Sequence, residues 1–392
     1  MQKQSTRMIA PDILKIAAAI FVVVIHHKQN SSAYFVSKYQ LFHLVLFAIC
    51  FALGLCLFVR ERAKGSSYKR SFLKFGMCLM VWVGFSYLKK FPVAIFLVLS
   101  SYFLAGSISK SERPIRSWYT AQNLISRIAR FYIPFLPLFI IGLIYKIFVL
   151  KYDYTIAEVV ARFILGGFKP GSYYITILAE LVLVFPIVYV IVHRFKFGGV
   201  LACALFTFAY DIAFAYLGLS DVAYKFLIFR FAAHIAFGIY GKETHLKWNS
   251  IESLVSFSFG LVYVVLCVLT KTYKPPVFFQ WQEASFPTAF FIYPVIAWFI
   301  TVFKNATYTN SALSRIVAAF AGATYHIFLI QLLYYTTFGF ALNEYINNFM
   351  ISMPLNLVIT LSIGVLYYKH FSPVENMLVS KIRISLKKST KP

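Results

Sequence analysis

Charge is what this sequence has least of. Asp, Glu, Lys and Arg together make up 13% of its 392 residues, against about 25% in ordinary soluble domains. A globule of that length needs a polar coat, and this chain has too few polar residues to make one. A soluble fold is excluded. Acids are scarcer still: 13 Asp and Glu stand against 38 Lys and Arg, for a formal charge of +25. Such an excess raises nucleic acid as a partner, but the basic residues do not interleave across one folded surface as a binding face requires. They gather in alternate loops between apolar runs, the pattern of a membrane orientation signal. Nucleic acid is therefore not an expected partner.

Cysteine is sparse too. Cys50, Cys56, Cys78, Cys203 and Cys267 all lie inside apolar runs, and their spacing fits neither a zinc site nor a disulfide framework. They read as small buried hydrophobes, and no metal is expected. No small-x-small cleavage site follows the first apolar run, Ile16 to Ile25, which ends in His26, His27 and Lys28. An uncleaved first helix is expected rather than a signal peptide. The longest loops, 109–130 and 151–172, are too short to bury a core. No internal repeat is visible, which weighs against a transporter of duplicated halves.

What the chain does have is hydrophobic length: 60% of its residues are hydrophobic and 19% aromatic. One bilayer crossing needs about 20 apolar residues. Candidate spans fall at 10–27, 41–59, 72–88, 91–108, 131–150, 173–193, 198–217, 224–241, 251–270, 286–303, 316–341 and 351–368. The prediction is an all-α polytopic bundle of about 10–12 transmembrane helices, forming one domain over 1–370 with a basic tail at 371–392. Aromatic residues crowd the ends of the runs, as interfacial anchors do. Arg60, Arg62, Lys64, Lys69 and Arg70 share one loop, and Lys110, Arg113, Arg116, Arg127 and Arg130 the next inner one. The tail adds Lys381, Arg383, Lys387, Lys388 and Lys391. The intervening loops are poorer in Lys and Arg, so both termini are expected in the cytoplasm. The stretch Tyr154–Lys169 reads as an amphipathic or re-entrant helix.

Ionisable side chains inside spans are costly in lipid and face a bundle interior or a wet cavity. Those present are Asp12, Lys15, His26, His27, His43, Glu180, Asp211, Arg230, His234 and His326, with Gln331 as a neutral polar group. Lys15 and His26 are eleven residues apart, about three helical turns, so they share a face with roughly 20° of offset. Along the axis they stand about 16 Å apart. Asp12 is placed to pair with Lys15. A cation at one level and a titratable imidazole at another suit a substrate that threads the membrane. The plainer alternative is a snorkelling Lys and a His at the far water boundary. Arg230 and His234 share a face of a later span and invite an anion or a carboxylate partner. Glu180 and Asp211 are the available acids, in a substrate contact or a structural ion pair.

The segment from Asp12 through Lys15 to His26 resembles the opening of the membrane acyltransferase-three family. That family's signature is a basic residue, usually Arg, ten residues, then His. Lys15 retains the charge but loses the bidentate fork of Arg. Further along, Phe91 to Phe103 is similar to the family's Phe-Phe-x-x-Ser-Gly-Phe stretch, with Ser101 in place of Gly. Arg127, Arg130 and Pro134 match its Arg-x-x-Arg…Pro entry to the next span. Tyr173 through Glu180 to Pro186 loosely resembles a Trp-x-Leu…Glu…Pro segment without the Trp, and Arg230 to Gly238 resembles a later Arg…Phe-x-x-Gly span. Gly322 to Gln331, containing Tyr325 and His326, resembles Ser-Tyr-x-x-Tyr-Leu-x-His with Gln331 at the His position. Together the matches run from residue 12 to 331. An extra helical pair at 41–88 separates the first two.

The resemblance implies transfer of an acyl group, usually acetyl, from cytoplasmic acyl-CoA to a hydroxyl of a surface polysaccharide or lipid-linked sugar, in a bacterial plasma membrane. It implies Lys15, Arg127 and Arg130 as contacts for the donor's phosphates. His26 becomes the base or transient acyl carrier, since imidazole titrates near neutral pH. Glu180 joins it as a catalytic candidate. Arg230, His234, Tyr325 and Gln331 become substrate contacts. Some family members carry a fused extracytoplasmic esterase-like domain; here such a partner is expected as a separate chain, if one takes part. A flippase or exporter of a lipid-linked oligosaccharide is the rival reading, and a glycan polymerase would want a larger outer loop.

Overall fold

A computed structural model describes residues 8–27, 48–49, 51–68, 91–111, 115–168, 172–218, 220–244, 251–269, 285–303, 306–309, 311–338, 342, 345–346 and 348–389. The candidate span at 72–88, part of that at 41–59, and His43 lie outside these residues. Among the described residues the chain is helical, without a sheet; the one β-bridge, Met8 with Thr307, anchors the start of the first helix. There the Ile9 N–H donates to the Ala306 carbonyl at 2.9 Å.

Helix α1 is Ala10–His26, opened by Pro11 in its first turn with Asp12 beside it. Both residues suit an N-terminus: proline needs no hydrogen bond there, and a carboxylate meets the positive end of the helix dipole. Then come α2 (Pro92–Ser111), α3 (Ala121–Ile144), α4 (Ile156–Ile164), α5 (Tyr174–Phe195), α6 (Phe197–Tyr216) and α7 (Asp221–Phe226). A 3-10 turn, Ile228–Phe231, leads into α8 (Ala232–Glu243). Helices α9 (Ile251–Tyr263), α10 (Phe286–Val302), α11 (Ala312–Gln331) and α12 (Phe349–Ser389) complete the bundle. The amphipathic stretch expected near Tyr154 is α4, a surface helix opened by a Thr155–Glu158 capping box.

Among the described residues, five helical stretches are long and apolar enough to cross a bilayer: Ala121–Val149, Tyr174–Phe195, Phe197–Tyr216, Ala312–Tyr335 and Ile351–Lys387. Pro92–Ile108, Val255–Leu266 and Phe286–Thr301 are shorter apolar helices. Phe148, Ile187, Leu205 and Leu366 point outward from the bundle, where lipid is their natural solvent. The protein is a multi-pass helical membrane protein.

Helix α8 is the buried centre. It packs on α2, α6, α5 and α10, while α1 lies against α11 and α2, and α12 against α11 and α3. The approach of α8 to α2 depends on Gly238. A Cβ there would stand 2.8 Å from the Ser101 Cβ and collide with the Val98 carbonyl. Small residues that let backbones touch are how membrane helices gain dispersion contacts.

Two boundaries differ from the sequence expectation. Helix α3 begins at Ala121, so Arg127 and Arg130 stand on its early turns rather than in a loop. Helix α12 is 41 residues long, about 60 Å at 1.5 Å per residue, twice the hydrocarbon thickness of about 30 Å. It runs unbroken across residues 370 and 371, and the basic tail is its helical continuation. Both extensions have one cause: charged residues stop a helix from being buried in lipid but not from continuing into water. Reporter fusions after Thr390 and within residues 66–71 are expected to score cytoplasmic, because the loops at that end carry the Lys and Arg excess. An external signal from either fusion contradicts the orientation.

Candidate active site

The ends of α1, α2, α3 and α12 that carry Lys15, Ser107, Arg127 and Arg383 meet around one cavity of about 590 Å³, which α5 and α11 close on the other side. Lys15, Arg127, Arg130 and Arg383 line it, and no carboxylate does. Lys15 is held from two directions. Its Nζ donates to Asp12 Oδ1 at 3.1 Å and sits 4.1 Å over the Phe103 ring. Asp12 is buried, and its other oxygen accepts the Tyr308 hydroxyl at 2.8 Å. Arg127 stacks 3.6 Å over the ring of Trp118. Trp118 in turn is buried and donates from Nε1 to the Val182 carbonyl at 2.8 Å, so an inner-loop residue props a guanidinium against the bundle.

Away from this basic mouth the cavity becomes apolar and aromatic. Phe96, Tyr174 and Phe328 form its far wall, with Tyr174 5.9 Å from Phe96 and 4.9 Å from Phe328 between ring centroids. Tyr325 lines the side and donates its hydroxyl to the Phe131 carbonyl at 2.8 Å. Along α2 the lining extends from Phe96 to Ser107, roughly 16 Å of helix. That is the separation along α1 between Lys15 and His26. The space therefore offers cations to an anion at one end and largely apolar walls beyond it.

The remaining predicted residues stand elsewhere. His26, the last residue of α1, lies outside the cavity lining and places Nδ1 2.9 Å from the Val22 carbonyl. An Nδ1–H bonded to a carbonyl makes Nε2 the basic nitrogen. The Glu180 carboxylate accepts the Ile228 N–H at 2.7 Å. It thus braces the 3-10 turn that carries Arg230. Arg230 is fully buried, donates to the Lys225 carbonyl at 3.0 Å, and lies among the rings of Tyr173, Tyr224 and Phe231. Asp211 is equally buried and accepts the Tyr224 hydroxyl at 2.7 Å. His234 Nε2 meets the Thr288 hydroxyl at 3.0 Å. Gln331 is completely buried, and neither atom of its amide has a hydrogen-bond partner among the described residues. The structure thus gathers Lys15, Arg127, Arg130 and Tyr325 in one place, and leaves Glu180 and Arg230 in a neighbouring polar core.

A family model described as an acyltransferase domain, that of the acyltransferase-three family, matches residues 8–369. The chain belongs to the acyltransferase-three family. No curated protein and no solved structure matches it. This membrane acyltransferase departs from its family's sequence pattern at places the fold makes intelligible. Ser101 is fully buried opposite Gly238, and it adds only a Cβ and a hydroxyl to the usual Gly. Lys15 keeps the cation at the cavity.

Two features of the acyltransferase were hidden in the sequence. Arg383 sits among tail charges that all read as orientation signals, and only the continuous helix brings it to the cavity. His27 is the second. It is buried, with Nδ1 2.9 Å from Asn356 Nδ2 and Nε2 3.3 Å from Ser352 Oγ, both on α12. Asn356 also accepts the Tyr334 hydroxyl at 2.6 Å. This network ties the end of α1 to the last span. His27→Ala should lower the thermal midpoint of the purified protein, since a buried partner left unsatisfied costs about 1–3 kcal/mol. Paired with Asn356→Ala it should be markedly non-additive. Additive losses would place His27 outside the network.

Proposed function

We propose that this acyltransferase works in a bacterial plasma membrane and moves a short acyl group, acetyl foremost, from cytoplasmic acyl-CoA to a hydroxyl of a surface polysaccharide or lipid-linked sugar. The observation that carries the reading is the cavity: a mouth of four cations without a carboxylate, leading to an apolar aromatic wall, the whole lining spanning roughly 16 Å of α2. Acyl-CoA has that polarity. Its phosphates suit Lys15, Arg127 and Arg130 on the cytoplasmic side, and its pantetheine arm suits the wall of Phe96, Tyr174 and Phe328. The thioester is then carried inward, toward the end of α1 that bears His26.

There His26 acts as general base. The acceptor hydroxyl gives its proton to Nε2 as its oxygen attacks the thioester carbonyl carbon. The carbon–sulfur bond breaks, the ester forms, and the departing thiolate takes the proton from the imidazolium. Atoms balance with acyl-CoA and acceptor as the only reactants. Asp12 keeps Lys15 oriented. Glu180, Arg230 and His234 hold the frame against which the acceptor binds, and Tyr325 and Gln331 border its path.

The test is mass spectrometry of the surface glycan from cells bearing wild-type or variant protein at equal abundance. His26→Ala should leave the glycan exported in normal amount and remove its acyl groups, because general-base assistance is worth at least about a hundredfold in rate. Arg127→Ala should instead raise the apparent KM for acyl-CoA in membranes. Intact acylation in His26→Ala overturns the base assignment. Lost export with no acyl group ever found on the wild-type glycan favours a transporter.

A further inference from the structure

Arg383 is the cation at the cavity that the family pattern does not foresee. It belongs to the part of α12 that outruns the membrane, and its backbone carbonyl accepts the Gln122 side-chain amide at 3.0 Å. Gln122 is in the first turn of α3, five residues before Arg127, so the Arg383 backbone lies level with the start of α3, roughly 7 Å further out than the Arg127 backbone. The cations are thus graded in depth. Lys15 and Arg127 are half-buried, while Arg383 at the outer end and Arg130, one turn inward of Arg127 on α3, are exposed.

Grouping them is unfavourable without an anion. Arg127 feels the like charges of both Arg130 and Arg383. Among the described residues none of these three guanidinium groups has a carboxylate partner. Like charges held close in a partly apolar setting repel, and a polyanion relieves them. Guanidinium groups are the side chains best shaped for phosphate oxygens.

We infer that Arg383 binds the 3′-phosphate of the CoA donor, making the cytoplasmic extension of the last helix a part of the donor site. The inference rests on the acyl-CoA reading above. In CoA the thioester lies at one end, the diphosphate in the middle, and the 3′-phosphate on the ribose beyond it. With the thioester inward along the aromatic wall, the inner cations meet the diphosphate and the outermost one meets the 3′-phosphate.

The experiment measures binding of CoA and of 3′-dephospho-CoA to the purified full-length protein. Wild type should prefer CoA by about tenfold, the worth of one charge-assisted hydrogen bond at an exposed site. Arg383→Ala should lose that preference by weakening CoA alone, and Arg383→Lys should keep part of it. Lys381→Ala, on the same helix but off the cavity, should behave as wild type. Preference retained in Arg383→Ala, or equal weakening of both ligands, overturns the 3′-phosphate assignment. If Arg127→Ala still weakens both ligands, the donor reading stands without it. Failure of wild type to bind either ligand overturns the donor reading itself.

Discussion

Keeping several cations close together at the edge of an apolar bundle, around a cavity that no acid lines, is the constraint around which this protein is arranged. In water such a cluster disperses. Here Lys15, Arg127, Arg130 and Arg383 come from three helices, two that start at this end of the bundle and one that finishes there. Three of the four are braced from outside the cavity lining: Lys15 by Asp12 behind it, Arg127 by the Trp118 ring under it, and Arg383 by the Gln122 amide on its backbone. The close approach of α8 to α2 at Gly238 supports one side of this frame. The packing thus preserves a positive field at the cavity mouth, of the kind that draws anionic ligands.

The same arrangement separates two kinds of polar residue that look alike in a hydropathy profile. Lys15 and Arg127 open on a space where a ligand fits. Arg230, Asp211 and Glu180 are enclosed by backbone groups and tyrosines and hold a 3-10 turn in place. Burying charge is costly in lipid. In the second group that cost is offset by the protein's own groups, whereas the first, apart from the Asp12–Lys15 pair, faces an open cavity.

The spans were legible because hydrophobic length is a strong, local signal, and α5, α6 and α10 fall close to where the runs predicted them. The grouping of Lys15, Arg127 and Arg130 was read from family-like motifs, whereas Tyr325, read with Arg230, His234 and Gln331, lines the cavity of the cations instead. Helix ends were less legible. The starts of α3 and the end of α12 lie in water, where apolar periodicity says nothing and a charged helix resembles a charged loop. His27 was harder to see for another reason. On a helical wheel it sits about 100° from His26, and nothing local says that Ser352 and Asn356, more than three hundred residues away, wait on that side. Arg383 became distinctive only through its long-range neighbours.

The most direct test of the account is an electron cryomicroscopy map of the protein with a non-transferable acyl-CoA thioether bound. The account predicts nucleotide density at the mouth formed by Lys15, Arg127, Arg130 and Arg383, with the pantetheine arm running inward along Phe96, Tyr174 and Phe328. Nucleotide bound elsewhere, or a cavity holding lipid while the donor remains in solution, would contradict it.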